Sequence, residues 1–245
     1  MVKLQTIENR IGVIRQKLGR RMDTTDWQES EHPRDEEGRF TYSGSGGVSG
    51  YQKHAEKMDV FIQPKLDKEL GDDDKSNILR KIDDVYKEFG LDPSEDNQKL
   101  VWSISADDKL EENMATGSAS KSGVVSFNTK SNYLKNNDYT NVYHEMGHMI
   151  GFALERVMKK RFSDTDAIYN RIVHEGYQDF SKKNKDMTKE KAIGTISNYS
   201  LHSNKEAIAD AVRDYMVNHD KAKEMSKCVV GRLKKYVDKY IKAKK

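Results

Sequence analysis

The stretch "DYTNVYHEMGHMIG", residues 138–151, decides how the chain is read. It places His144, Glu145 and His148 in the pattern H-E-x-x-H. On a helix from about Thr140 to Leu154, residues four apart lie one above the other, so both imidazoles share a face. Val142, Met146, Met149, Ile150 and Ala153 form the adjoining apolar face. Two neutral imidazoles from one helical turn suit a zinc ion. Glu145 is offset around the axis, as suits a base that takes a proton from metal-activated water instead of binding the ion.

A catalytic zinc site needs a third protein ligand and an open position. The longer pattern H-E-x-x-H-x-x-G-x-x-H is excluded: Gly151 falls at the glycine position, but Leu154 stands where the last histidine must be. The third ligand therefore comes from elsewhere. "SNKEAIADAVRDY", residues 203–215, offers Glu206 in the first turn of a helix from Ser203 or Asn204 to about Asn218. Asp210 follows four residues later on the same face, placed to accept the N–H of a liganding histidine. Ser203-x-x-Glu206 is also a capping box, and this alone accounts for a glutamate at that position. His202 is close enough in sequence to serve as an alternative ligand. His174 reads as a surface residue, and His32, His54 and His219 belong to no constellation.

These motifs resemble the gluzincin metallopeptidases, and more closely the catalytic domain of anthrax lethal factor and its relatives. The resemblance covers about residues 100–220. It implies that His144, His148 and Glu206 hold Zn²⁺, that Glu145 is the general base, and that Asp210 supports a ligand. It also implies that Tyr199, seven residues before Glu206, steadies the oxyanion or protonates the leaving group. Read alone, Tyr199 is equally a packing residue with a wetted hydroxyl. Members of that family carry a strand ahead of the active helix whose edge holds an extended peptide, and "GVVSFNTK" (123–130) resembles it.

The rest of the 245-residue chain sets the frame. Hydrophobic residues make up 35% and charged residues 34%, a composition lean in core-forming residues. No apolar run reaches membrane-spanning length, and the N-terminus lacks the apolar stretch of a secretory signal. The lone Cys228 cannot form an internal disulfide. Residues 1–21 read as a short amphipathic segment, and 22–50 as a polar, Gly/Ser-rich linker or tail. Within it, "EHPRDEEGRFTYSGSGG" resembles a segment common in tailed-phage and prophage structural proteins. That resemblance implies a phage or prophage setting, in the host cytoplasm or the virion, with 22–50 as the tether to a phage structural partner.

The compact domain is read as 51–245, with an α+β order: helices, short strands, then helices. Helical segments are expected on either side of Pro64 and over "DDDKSNILRKIDDVYKEFG" (72–90), whose acidic start suits the helix dipole and whose Gly90 suits its end. "KLVWSIS" and "GVVSFN" read as strands, and the polar segment between them as loop. The last 30 residues hold ten basic against three acidic residues on an amphipathic helix, 221–245. This reads as a helix packed on the domain with lysines facing water. Attachment to nucleic acid finds no finger, helix-turn-helix or aromatic platform in support. The leading functional expectation is a zinc-dependent endopeptidase acting on an extended protein or peptide. The alternative is a virion structural or binding module with little or no turnover, for which an intact Glu145 would have no chemical use.

Overall fold

The computed structural model describes residues 50–112, 115–131, 134, 136, 138–158 and 166–243. The expected N-terminal segment 1–21 and nearly all of the 22–50 linker lie outside them. The chain opens with α1 (Gly50–Met58), β1 (Phe61–Ile62), α2 (Pro64–Glu69) and α3 (Asp72–Phe89). Then follow β2 (Ser103–Ala106), α4 (Lys109–Glu112), β3 (Gly117–Ala119) and β4 (Val124–Phe127). The remaining helices are α5 (Thr140–Met158), α6 (Ala167–Ser181), α7 (Lys189–Ile196), α8 (Asn204–Asn218) and α9 (Glu224–Val237). A 3-10 turn, Tyr199–Leu201, precedes α8, another, His219–Lys221, follows it, and a π turn, Asp238–Lys242, extends α9. This is the mainly helical α+β domain expected, with one small mixed sheet.

Local chemistry accounts for the element ends. Pro64 takes the first turn of α2, where its missing N–H is no loss. Asp72, Asp73 and Asp74 fill the first turn of α3, and Gly90 closes it in the left-handed region at φ 60°, ψ 38°. Its apolar stripe, Ile78, Ile82, Val85 and Phe89, is buried. Tyr86 on the same helix buries its hydroxyl, which accepts the N–H groups of Leu100 and Val101 at 2.6 and 3.1 Å. Those bonds fix the chain as it enters β2.

The sheet order is β1-β2-β4-β3. The first three strands run parallel, and β3 pairs antiparallel with β4. Ile104 pairs with Val125 and Ala106 with Phe127, which puts Ile104, Val125 and Phe127 on one buried apolar face. Ser105 and Ser126 share the other face, their hydroxyls 2.7 Å apart. One expectation changes here. The segment 123–130 is not an edge: β4 is flanked by β2 and β3, so its backbone groups are already paired. The outer strand beside β4 is β3, inside the segment read as loop. Gly-Ser-Ala has neither β-branched residues nor apolar alternation, so β3 forms because β4 offers it a partner.

The helix carrying the motif also differs from expectation. Its sequence predicts one buried side, but α5 is buried almost all round, from Val142 to Leu154. It packs against α3, β3, α6 and, most extensively, α8. A close approach fixes the α5–α8 pairing. A Cβ added at Gly147 would lie 2.6 Å from the Ala209 Cα and 3.3 Å from the Val212 Cβ. The glycine lets the two backbones meet between the histidine pair of α5 and Glu206/Asp210 of α8. Gly147→Ala is expected to destabilise the fold by about 1–3 kcal/mol, the usual overpacking cost. Denaturant unfolding of the metal-free chain checks it.

The C-terminal helix, expected over 221–245, runs Glu224–Val237 and packs on the domain. Val229, Val230, Leu233, Tyr236, Val237 and Ile241 are buried, and α9 packs on α6 and α8. Several of its basic residues are paired: Arg232 with Asp179 and Glu175, Lys234 with Glu88, Lys227 with Glu224. None of the described helices is long and apolar enough to cross a membrane.

Candidate metal centre

Helix α5 brings His144 and His148 together, and the start of α8 brings in Glu206. The two Nε2 atoms lie 3.2 Å apart. Glu206 Oε2 lies 3.2 Å from the first and 3.3 Å from the second. These three atoms form a nearly equilateral triangle. Ligands of a tetrahedral zinc with bonds of about 2.0 Å are separated by about 3.3 Å, so the triangle has the dimensions of one face of such a site. Among the described residues this is the one cluster of His, Cys, Asp or Glu suited to a metal ion. Glu206 Oε2 is buried, yet it makes no well-directed hydrogen bond despite the two nitrogens beside it. A buried carboxylate oxygen without such a bond is costly, and a cation at the triangle's centre removes that cost.

The two readings of Glu206 separate in the geometry. Ser203 caps α8 by accepting the Glu206 N–H at 3.2 Å. The Glu206 side chain faces the histidines. The cap and the ligand position thus coexist, one using the backbone of Glu206 and the other its carboxylate.

Asp210 sits one turn further along α8, almost fully buried. Its Oδ1 accepts from His144 Nδ1 at 2.8 Å and from Arg213 at 2.9 Å. Its Oδ2 accepts from the Ser197 hydroxyl and from that of Ser200 at 3.3 Å. A histidine held this way at Nδ1 presents Nε2 as the ligand atom. The same serines tie down the Tyr199 turn, because the Ser200 N–H donates to Ser197 Oγ at 3.0 Å. The carboxylate that orients His144 thereby also locates Tyr199.

Burial lowers the proton affinity of His144, but its hydrogen bond to Asp210 and the Glu206 carboxylate beside it raise it more, to about 9. For Glu206 burial acts upward and the two histidines downward, leaving it well below the usual carboxylate range. Asp210 is likewise lowered, the bonds to His144 and Ser197 outweighing its burial. Glu145 goes the other way. It is 4% exposed, and burial pushes its carboxyl up, only partly offset by His144 and His148. Its Oε1 faces Asn141 Nδ2 at 3.4 Å. Adjacent carboxylates are thus pushed apart, Glu206 toward a ligand and Glu145 toward a group that takes up protons.

Tyr199 is 53% exposed, with its ring centroid 6.0 Å from that of His144 and 5.0 Å from that of His202. Burial and the nearby carboxylates of Glu206, Asp210 and Glu145 raise its hydroxyl above the usual phenol value. It therefore keeps its proton and is a hydrogen-bond donor at neutral pH. His202 lies against Tyr199 and outside the cluster. His174 is on the surface beside Gln178, as expected.

Sequence reasoning missed Ser197, Ser200, Arg213 and Asn141. Arg213 and Asn141 stand at helical spacing from Asp210 and Glu145 and were readable as partners. Ser197 and Ser200 carried no signal, because their turn has no periodicity. No family model, no curated protein and no solved structure matches this chain. The functional reading therefore rests on the site: a His/His/Glu cluster of zinc-metalloprotease type, suited to metal-dependent hydrolysis.

Proposed function

We propose that the chain is a zinc-dependent endopeptidase of the lethal-factor-like gluzincin type. The observation that carries it is the triangle of His144, His148 and Glu206, with Glu145 beside it on the same helix. A zinc ion held by those three side chains would supply Lewis-acid polarisation of a carbonyl and a water activated at neutral pH. Glu145 takes the proton released by the attacking water and passes it to the departing amine nitrogen. The Tyr199 hydroxyl donates to the carbonyl oxygen as charge develops there.

The extended substrate lies along β3. Asn128 N–H donates to Thr116 O, and Ser120 N–H to Val124 O, so even-numbered residues turn their backbone groups toward β4. By the alternation of an antiparallel ladder, Gly117 and Ala119 turn theirs outward. A peptide adding to that edge gains backbone bonds regardless of its sequence. The segment "EHPRDEEGRFTYSGSGG" supports a phage or prophage setting, with cleavage of a head protein or of a host protein as the two roles that fit.

The test is purification with metal analysis, followed by cleavage of an unstructured protein such as casein. We expect one zinc per chain and proteolysis that a chelator abolishes and zinc restores. A chain that takes up no zinc, or whose proteolysis survives metal removal, overturns the proposal.

A further inference from the structure

Glu145 is a buried carboxylate on a helix packed nearly all round, and something must aim it. Its Oε1 accepts one hydrogen bond, from Asn141 Nδ2 one turn earlier on α5. Its second oxygen accepts none among the described residues and is left for a proton from water. The other neighbour is β3. A Cβ added at Gly117 would lie 2.8 Å from Asn141 Nδ2, 2.9 Å from Glu145 Oε1 and 3.1 Å from Glu145 Cγ. Gly117 does not have positive φ, unlike Gly90 and Gly123. No turn or left-handed backbone requires a glycine there. The space beside its Cα does, because the amide of Asn141 and the carboxylate of Glu145 occupy it.

We propose that Gly117 and Asn141 are positioning residues for Glu145, a two-sided brace that fixes one carboxylate oxygen and leaves the other free. The inference rests on the reading of Glu145 as the proton-transfer group. Asn141 supplies the directed bond, and the bare Cα of Gly117 closes the space behind it. The same bare Cα brings the outward-facing backbone of β3 up to Glu145. The strand proposed to hold the peptide and the base that serves it are therefore set by one contact. Any side chain at 117 must push the strand off α5 or turn the Asn141/Glu145 pair aside.

The test needs no knowledge of the substrate. Acetohydroxamic acid would bind a zinc ion as its anion, and the O–H proton it loses would pass to a neighbouring carboxylate, so its affinity reports whether Glu145 is in place. With zinc content held at one per chain, Gly117→Ala and Asn141→Ala are each expected to weaken acetohydroxamate by about tenfold, the effect of losing one hydrogen bond to a charged group. Asn141→Leu separates aiming from packing. It has nearly the same shape but no donor, so a purely structural role predicts little change, whereas the brace predicts a loss like that of Asn141→Ala. In casein cleavage the loss should fall on kcat with KM little changed. Parent-like acetohydroxamate affinity in both alanine variants overturns the brace, as does an Asn141→Leu variant that binds as the parent does. Should Gly117→Ala fail to fold, the two Asn141 variants decide. A parent chain that takes up no zinc instead overturns the metal reading, and this inference with it.

Discussion

Glu145→Gln is expected to leave one zinc per chain and to lower proteolysis by about 10²–10⁴-fold, the span usual for a positioned proton-transfer group. The expectation follows from where the carboxylate is. It shares a helix with both histidines but stands outside the triangle of ligand atoms, so the metal does not need it. Glutamine keeps the shape and can keep a contact with Asn141, so packing is preserved while the proton acceptor is lost. Stability moves the opposite way from activity. Burial holds the Glu145 carboxyl above its ordinary value in the metal-free fold. Between the unfolded and the raised folded value, the native state binds the extra proton, so stability falls as pH rises through that window. Glutamine has no such dependence. Metal-free Glu145→Gln should therefore be more stable than the parent at neutral pH, with the difference vanishing below the ordinary carboxylate range. Denaturant titrations at two pH values read this directly. Zinc content with full proteolysis in the variant would remove Glu145 from the mechanism.

The site was legible in the sequence to the extent that its geometry is helical. His144 and His148 lie on one face because four residues make about one turn. Glu206 and Asp210 obey the same rule on α8, and both helices fold where their apolar spacing put them. What could not be read was how the helices meet. The 3.3 Å between His148 and Glu206 depends on Gly147 against Ala209, a contact between backbones that periodicity does not encode. The sheet was harder still. β1 has two residues and β3 three, too short to show a period of two. The apolar "GVVSF" resembled the strand whose edge holds a peptide, and the small residues of "GSA" carry no strand signal, which exchanged the centre of the sheet for its edge. The supports of Asp210 divide in the same way. Arg213, three residues along the helix, follows a rule; Ser197, thirteen residues earlier in an irregular turn, follows none.

Glu206→Ala is expected to abolish stoichiometric zinc binding, whereas Asp210→Asn should retain it with affinity lowered by about 10–100-fold, the usual effect of losing a partner to a liganding histidine. The first removes one corner of the triangle and its only negative charge, leaving two imidazoles from a single helix. The second leaves the triangle complete and removes only the acceptor behind His144. Acidity distinguishes them further. In the metal-free site the proton on His144 persists to about pH 9, chiefly through Asp210 and then Glu206, against the effect of burial. Zinc must displace that proton, so the parent's affinity should rise with pH across the neutral range up to about 9. Asparagine at 210 withdraws the largest upward influence on His144, and its ring then loses the proton at lower pH. The affinity of Asp210→Asn should accordingly be lower than the parent's but flatter with pH above neutrality. Competition against a chelator of known affinity at several pH values measures both the offset and the slope. An Asp210→Asn curve parallel to the parent's would mean that the carboxylate does not set the protonation of His144.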